Sequence, residues 1–593
     1  MRQLYFLFTI AFVIAIQSVS AQYITPGTNL SLSLDQLVSS SGGVVTFDNG
    51  TYYINNTLTI SATDTLRINS AATIRVAATK RIEVSGTIIS NPTSGTVFIT
   101  AIDTSTVANN FKGFRFDNSQ GNIFKNTTIT HGGGQQLIAS SAIFEYCTFR
   151  RNGSSNVSAV ITYSGCSPII KYCSFIENAR SAVGSGANVS GSPHILYNYL
   201  YRNTTDNSNR PQINIGPGSN DTIYIVGNYI EGFYDNAGGI GLSNLLSTGS
   251  TKAVVKDNTI IGNRYGYAQI GNSISALITD NIILDNDIQN NPNLGGSGLN
   301  FQASGSGNTA IVRRNIISGS LWGITIQSVA QPDFGTTDNP GNNVIYENGN
   351  GGVTYALYNN TVLPINAVGN YWGTNDPIEA ENYIFHQPDQ ASLGLVTYLP
   401  INTLEPVIQS FGFLAADNAG LSADVFGTIN QTNKTINVVL PAGTAVNALI
   451  PEIGLALGVT TIPGGGVITD FTQPVTFEVK TPHGLNENYV VTVSVEVATF
   501  SATFQISNTS SQTITDAIIQ LNGTTYPAGT YFFDNLSPGT YDYTVSHPNY
   551  QSANGNFSIT DQNVVVPVTI VPLSYTVTFD IKNTAGTAIT NAI

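Results

Sequence analysis

Charge is scarce in this chain. Only 10% of its 593 residues are Asp, Glu, Lys or Arg, against about 25% in an ordinary soluble domain. The 22 basic residues face 36 acidic ones, a formal net charge of −14. That excludes a broad nucleic-acid surface, which needs clustered Lys and Arg, and disfavours docking on an anionic membrane. Cys147, Cys166 and Cys173 are the only cysteines. They are too few and too oddly counted for a disulfide scaffold, and no Cys/His cluster has zinc spacing. One methionine stands against 57 glycines and 28 tyrosines, which does not suggest a helical protein. After residue 21 no apolar run is long enough to span a bilayer. What is present is core material: 41% of residues are hydrophobic, enough to bury a large interior. The length corresponds to about three to five domains.

Residues 1–21 have the pattern of a cleaved secretory signal: Arg2, the apolar run Leu4–Ile16, and the small-residue site Val19-Ser20-Ala21. The mature chain is therefore expected to be secreted or held at the cell surface, with no membrane insertion of its own.

An internal repeat organises the long stretch from residue 123 to 317. IFKNTTI (123–129), IFEYCTF (143–149), IIKYCSF (169–175) and HILYNYL (194–200) align with YIVGNYI, VVKDNTI, LITDNII and IVRRNII further on. The fifth position holds Thr127, Cys147 and Cys173, then Asn198, Asn228, Asn258, Asn281 and Asn315. The positions three before and two after it are apolar in all eight copies. Spacings run from 20 to 34 residues, so a constant core carries loops of varying length. The repeat is β-branched and alternating, and so strand-like. Short strands stacked coil on coil at about 4.8 Å form a β-solenoid and place equivalent side chains above one another. The asparagines are then a structural ladder in which each amide serves the next coil. Cys147 and Cys173 share its slot as small buried residues, with a disulfide as the second reading. A further asparagine column stands five positions on, at Asn152, Asn178, Asn203, Asn263 and Asn286.

This pattern resembles the right-handed parallel β-helix proteins, the broad group that includes pectate lyases and many bacterial surface proteins. The expected fold is all-β: a right-handed parallel β-helix over 22–405, closed near Trp372, followed by β-sandwich domains. Residues 406–498 alternate strands and turns and resemble Ig-like surface modules. Residues 499–573, with GTYFFDNLSPGTYDYTVSHPNY, resemble carboxypeptidase-regulatory-like or PEGA-type sandwiches. FSATFQISNTSSQTITDAI (500–518) recurs as YTVTFDIKNTAGTAITNAI (575–593), identical at nine of nineteen positions. Residues 574–593 are thus expected to begin a second, truncated copy. Only 3 basic but 12 acidic residues follow position 405, so acidity concentrates in the spacer modules and favours solubility.

β-Helices of this group work on an outward strand face. The strands QINIG, GIGLS, AQIGN, LNFQA and ITIQS offer one, with Asn214, Gly241, Gln269, Asn300 and Thr325 in one outward column and Gln302 and Gln327 in the next. Asn214, Gln269, Asn300, Gln302, Thr325 and Gln327 are the glycan-binding candidates, through amide hydrogen bonds. The face lacks the paired carboxylates of glycoside hydrolysis and the base-and-cation set of lyase chemistry. The group's catalytic signatures, such as a calcium cradle of Asp residues, are also missing. Arg202, Arg210, Tyr234 and Tyr265 are the catalytic candidates if the chain is an enzyme, in loops that offer a base or a Tyr acid. Tyr146, Tyr172 and Tyr197 form a row on successive coils, read as coil stacking ahead of a sugar grip. His131 and His194 are lone histidines, read as structural.

The favoured function is a secreted or surface protein that binds an extracellular polysaccharide or acts as an adhesin. The alternative is a polysaccharide lyase or glycoside hydrolase, and the sequence leaves open whether the chain is an enzyme. A stalk or ice-binding surface is the third reading, and the face has no regular Thr array to support ice. No cofactor or metal is expected, Ca2+ entering only with a lyase. The partner is a polysaccharide and not a nucleic acid, and a monomer is expected.

Overall fold

The structure, a computed structural model, describes residues 22–153, 158–246, 249–591 and 593. Residues 1–21, where a signal peptide is expected, lie outside the described residues. Strand accounts for 47% of the chain and helix for 3%. Two units emerge, one containing the repeats and one most of the C-terminal sequence.

The first unit is a right-handed parallel β-helix. The coils of the repeat region each give one strand to each of three sheets, which have 11, 13 and 14 strands in all. In one coil these are Thr222–Val226, Tyr229–Glu231 and Ala237–Asn244. The repeat core holds the first two strands, and the fifth position is the turn between them. Pairing between coils is parallel and in register: Ile170, Ile195, Ile225, Val255, Ile278 and Val312 follow one another up the 11-stranded sheet. All six are buried. Burying such β-branched columns is the main stabilising force of the solenoid. Helix Leu34–Ser40, with a Ser33/Gln36 capping box, lies at the N-terminal end, and Trp372 is fully buried in the core of the last coils.

The asparagine ladder is as the repeat implies, and longer. Backbone N–H groups of Asn198, Asn228, Asn258, Asn281, Asn315 and Asn343 each donate to the Oδ1 of the next rung at 2.9–3.0 Å, ending at Asn370. Each Nδ2 also binds a main-chain carbonyl of the preceding coil, as Asn258 does to Ile225 at 2.8 Å. The residue before each rung has left-handed backbone, φ 54° at Tyr197 and 55° at Asp257; the ladder holds that turn in place. The second column behaves alike, and Gln212 bridges Asn203 and Asn263 where Phe233 interrupts it. Cys147 and Cys173 are free and buried. Their thiols lie against the Phe124 and Lys171 carbonyls, and burial pushes the Cys173 thiol up.

Residues 406–498 supply a three-stranded and a five-stranded sheet, joined through a Phe411, Phe413, Phe471 and Phe477 cluster. Residues 499–573 supply sheets of three and four strands around a core containing Phe504, Ile519, Val545 and Val568. Residues 573–591 are exposed.

Candidate functional site

The 14-stranded sheet fixes the outward columns. Asn214, Gly241, Ala268, Asn300, Thr325 and Tyr358 are in register, and so are Ser243, Ile270, Gln302, Gln327 and Asn360. This corrects the assignment of Gln269. It pairs with Leu242 and Phe301, points into the solenoid, and is fully buried. Alternation starting from Ala268 is one residue out, and a one-residue slip exchanges the faces. The inward residues are Tyr267 and Gln269, a buried polar pair that satisfies itself. The Tyr267 hydroxyl donates to Gln269 Oε1 at 2.8 Å, and Gln269 Nε2 donates to Asn308 Oδ1 at 2.9 Å. Ile270 stands outward beside Gln269, in the column of Ser243 and Gln302.

Below Gly241 this face becomes a cleft of about 470 Å³. Its floor is the amide pair Asn300 and Gln327, with Gln302 and Asn360 exposed beside them. Gln327 Nε2 donates to Asn300 Oδ1 at 3.0 Å, leaving an amide donor on Asn300 and an acceptor on Gln327. Thr325 is nearly buried and bonds the Ser297 hydroxyl at 3.0 Å. Asn214 stands two coils away, outside the cleft.

Aromatic rings form the walls. Trp322 stacks on Tyr358 at 5.4 Å and 26° and meets Tyr355 at 4.5 Å. Its indole N–H donates to the Pro292 carbonyl at 3.1 Å, tying down the wall loop. Tyr265 covers Gly238, where a Cβ would stand 2.2 Å from its ring. Burial pushes the Tyr265 hydroxyl up to about 12, against the opposing pull of Arg264. Burial, then Tyr355, raises Tyr358. Both phenols are therefore neutral donors at ordinary pH. Arg264, the one cationic side chain on the lining, is buried and donates to Asn209 Oδ1 at 2.5 Å and to the Leu294 carbonyl. No carboxylate is among the described residues lining the cleft.

The catalytic candidates do not converge. Tyr265 lines this cleft. Arg202 is bonded to Glu231 at 3.3 Å and lies between the Tyr201 and Phe233 rings, 4.6 and 4.7 Å from their centroids. Arg210 reaches the Ser158 carbonyl at 3.5 Å. Tyr234 lines a different cleft. Tyr146, Tyr172 and Tyr197 stack at 5.1 and 5.5 Å, and a Cβ at Gly227 would touch the Tyr197 ring. Their faces cover one another, so a sugar ring has no face to lie on within the row. His194 meets Tyr224 edge-on at 4.9 Å.

Trp322, Tyr358 and Asn360 were not among the sequence candidates. The signal was in the register: ALYNN (356–360) continues the column one coil beyond ITIQS, with Tyr358 opposite Thr325.

Comparison with known proteins places two families on the chain. The family described as "Protein of unknown function (DUF1565)" matches residues 241–378, which contain the described lining residues of this cleft except Asn209. The family "SGBP, N-terminal" matches residues 418–493. No curated protein matches the chain. A putative glycoside hydrolase from Bacteroides thetaiotaomicron is 29% identical over 16% of this chain, with a TM-score of 0.14; the chain spans 26% of that protein. The periplasmic alginate epimerase AlgG, as a point mutant, is 12% identical over 62% of this chain and 83% of its own, with a TM-score of 0.39. A second structure of that epimerase is 11% identical over 51% and 81%, with a TM-score of 0.27.

Proposed function

We propose that this chain is an extracellular polysaccharide-binding protein and that the cleft beside Trp322 holds the glycan. The carrying observation is the composition of that cleft: stacked indole and phenol rings beside free amide groups. Sugars offer this surface what it lacks, C–H faces for the rings and hydroxyls for the amides. The SGBP match, on residues 418–493, supports the link to polysaccharide and not the choice of cleft, since that name denotes surface glycan-binding proteins. Asn300, Gln302, Thr325 and Gln327 are the proposed contacts from the sequence, joined by Trp322, Tyr358 and Asn360. Residues 1–21 act as the export signal in this reading, with 406–498 and 499–573 as spacer modules. Among the described residues no helix is long and apolar enough to cross a membrane.

The test is co-sedimentation of the full chain with plant, algal and animal polysaccharides, with new chain ends assayed in the same tubes. Retention without new ends is expected, and Trp322→Ala should weaken it about tenfold, the scale of one aromatic contact. New ends on any polymer would replace this reading with an enzymatic one. Retention unaffected by Trp322→Ala would move the site elsewhere.

A further inference from the structure

A second cleft, also of about 470 Å³, lies on another part of the solenoid and shares no lining residue with the first. It runs along the corner after the 13-stranded sheet. Its axis is the column His131, Arg151, Glu177, the residues that follow the paired Thr130, Arg150 and Ile176 on successive coils. All three have left-handed backbone, φ 50–53°. Tyr234 and the loop around Thr106 complete the walls.

Arg151 is the cation of the described lining, and Arg150, outside that lining, reaches the same carboxylate. Glu177 is the one carboxylate among the described lining residues. Its Oε2 serves both Arg150 Nη2 and Arg151 Nε, each at 3.4 Å. One oxygen at that distance satisfies neither guanidinium, and both side chains are about half exposed, 48% and 56%. Three carboxylates of the bordering coils and loops have partners of their own, while Asp235, after Tyr234, is exposed. Asp103 accepts from Ser105 N–H and Asn109 Nδ2 within its own loop, Asp206 is bridged to Arg180 at 2.7 Å, and Glu231 holds Arg202. Burial, then Arg151 and Arg150, lower His131 and keep its ring neutral. Its Nδ1 is bonded to the Thr130 hydroxyl at 3.1 Å, so it adds no charge to the cleft.

We propose that this corner cleft binds an isolated oxyanion substituent, a carboxylate or a sulfate ester, carried on an otherwise uncharged glycan. Two guanidiniums that share a single carboxylate oxygen suit one such group. A densely charged polymer such as a nucleic acid would meet the field of a chain whose net charge is −14. Two guanidiniums converging on one point present the planar donors that oxyanions accept from. The proposal does not rest on the amide cleft.

The full chain is titrated with three probes: dextran, sparsely carboxymethylated dextran and sparsely sulfated dextran, at low and at physiological salt. One or both substituted dextrans should bind more tightly than dextran, and salt should weaken them. Which one binds names the substituent. Arg150→Gln with Arg151→Gln should lower that affinity about fivefold, the upper range for a partly exposed ion pair. Glu177→Gln should raise it, because it frees both guanidiniums. A structural role for the cluster predicts the opposite sign for Glu177→Gln. The proposal is overturned if that variant binds more weakly or equally, or if neither substituted dextran outperforms dextran.

Discussion

At the residue scale, the asparagine rungs show what one side chain can decide. Asn258 takes the N–H and Nδ2 of Asn228 on its Oδ1, and gives its own Nδ2 to Ile225, Lys256 and Asn281. Removing it leaves several buried donors and acceptors without partners, each worth about 1–3 kcal/mol. Asn258→Ala should therefore destabilise the solenoid by about 3 kcal/mol or more, read as a shift in the urea midpoint. This ladder was legible in the sequence because it repeats in a fixed slot between two apolar columns. Gln269 was not, because it occurs once. A buried Gln satisfied by Tyr267 and Asn308 looks, letter by letter, like a surface residue. Only the pairing register settles which way it points.

Among elements, the 14-stranded sheet sets the cleft, and glycine sets the place of its wall. Tyr265 lies on Gly238, with its hydroxyl 3.7 Å from a Cβ built at Gly241. A methyl group at 238 would overlap the ring. Gly238→Ala should displace it and weaken polysaccharide retention several-fold, at a stability cost of about 1–3 kcal/mol. Retention equal to wild type would show that Tyr265 is not part of the glycan wall. The strands themselves were readable from alternation, but the walls were not. Trp322, Tyr358 and the 290–296 loop meet only because coils of unequal length stack, and no local spacing encodes that meeting.

For the whole molecule, the question is what holds the coils together as conditions change. Asp64 is buried, and burial pushes its carboxyl up, but bonds from Thr25, Leu30, Gly27 and Thr28 outweigh this and hold it below the ordinary 3.8. Glu145 is held below 4.5 by Lys125 foremost and Lys171, and Asp280 below 3.8 by Arg314 against its own burial. Lowered carboxyls stabilise the folded chain fully above their unfolded values, and that stability is lost as pH falls through the folded ones. Asp287, raised by burial and by Asp285, contributes in the opposite sense. With three lowered carboxyls tying separate coils, the urea midpoint should fall steadily below about pH 4.5 and be flat near neutrality. Asp64→Asn should shrink the acid-side slope. A midpoint that rises on acidification would contradict this account. The β-helix at this scale was legible from the repeat. The occupant of each cleft was not, since the fold is a scaffold shared by many chemistries.

The amide ladder also has a direction. Every rung from Asn198 to Asn343 presents its N–H groups to the following rung and its carbonyl oxygen to the preceding one. The side-chain dipoles therefore point the same way along the solenoid axis and polarise one another. Such a chain is strongest in its middle and weakest at its ends. Cutting it at Asn258 makes two short polarised rows out of one long one, so the loss is felt by rungs that never touched the missing side chain.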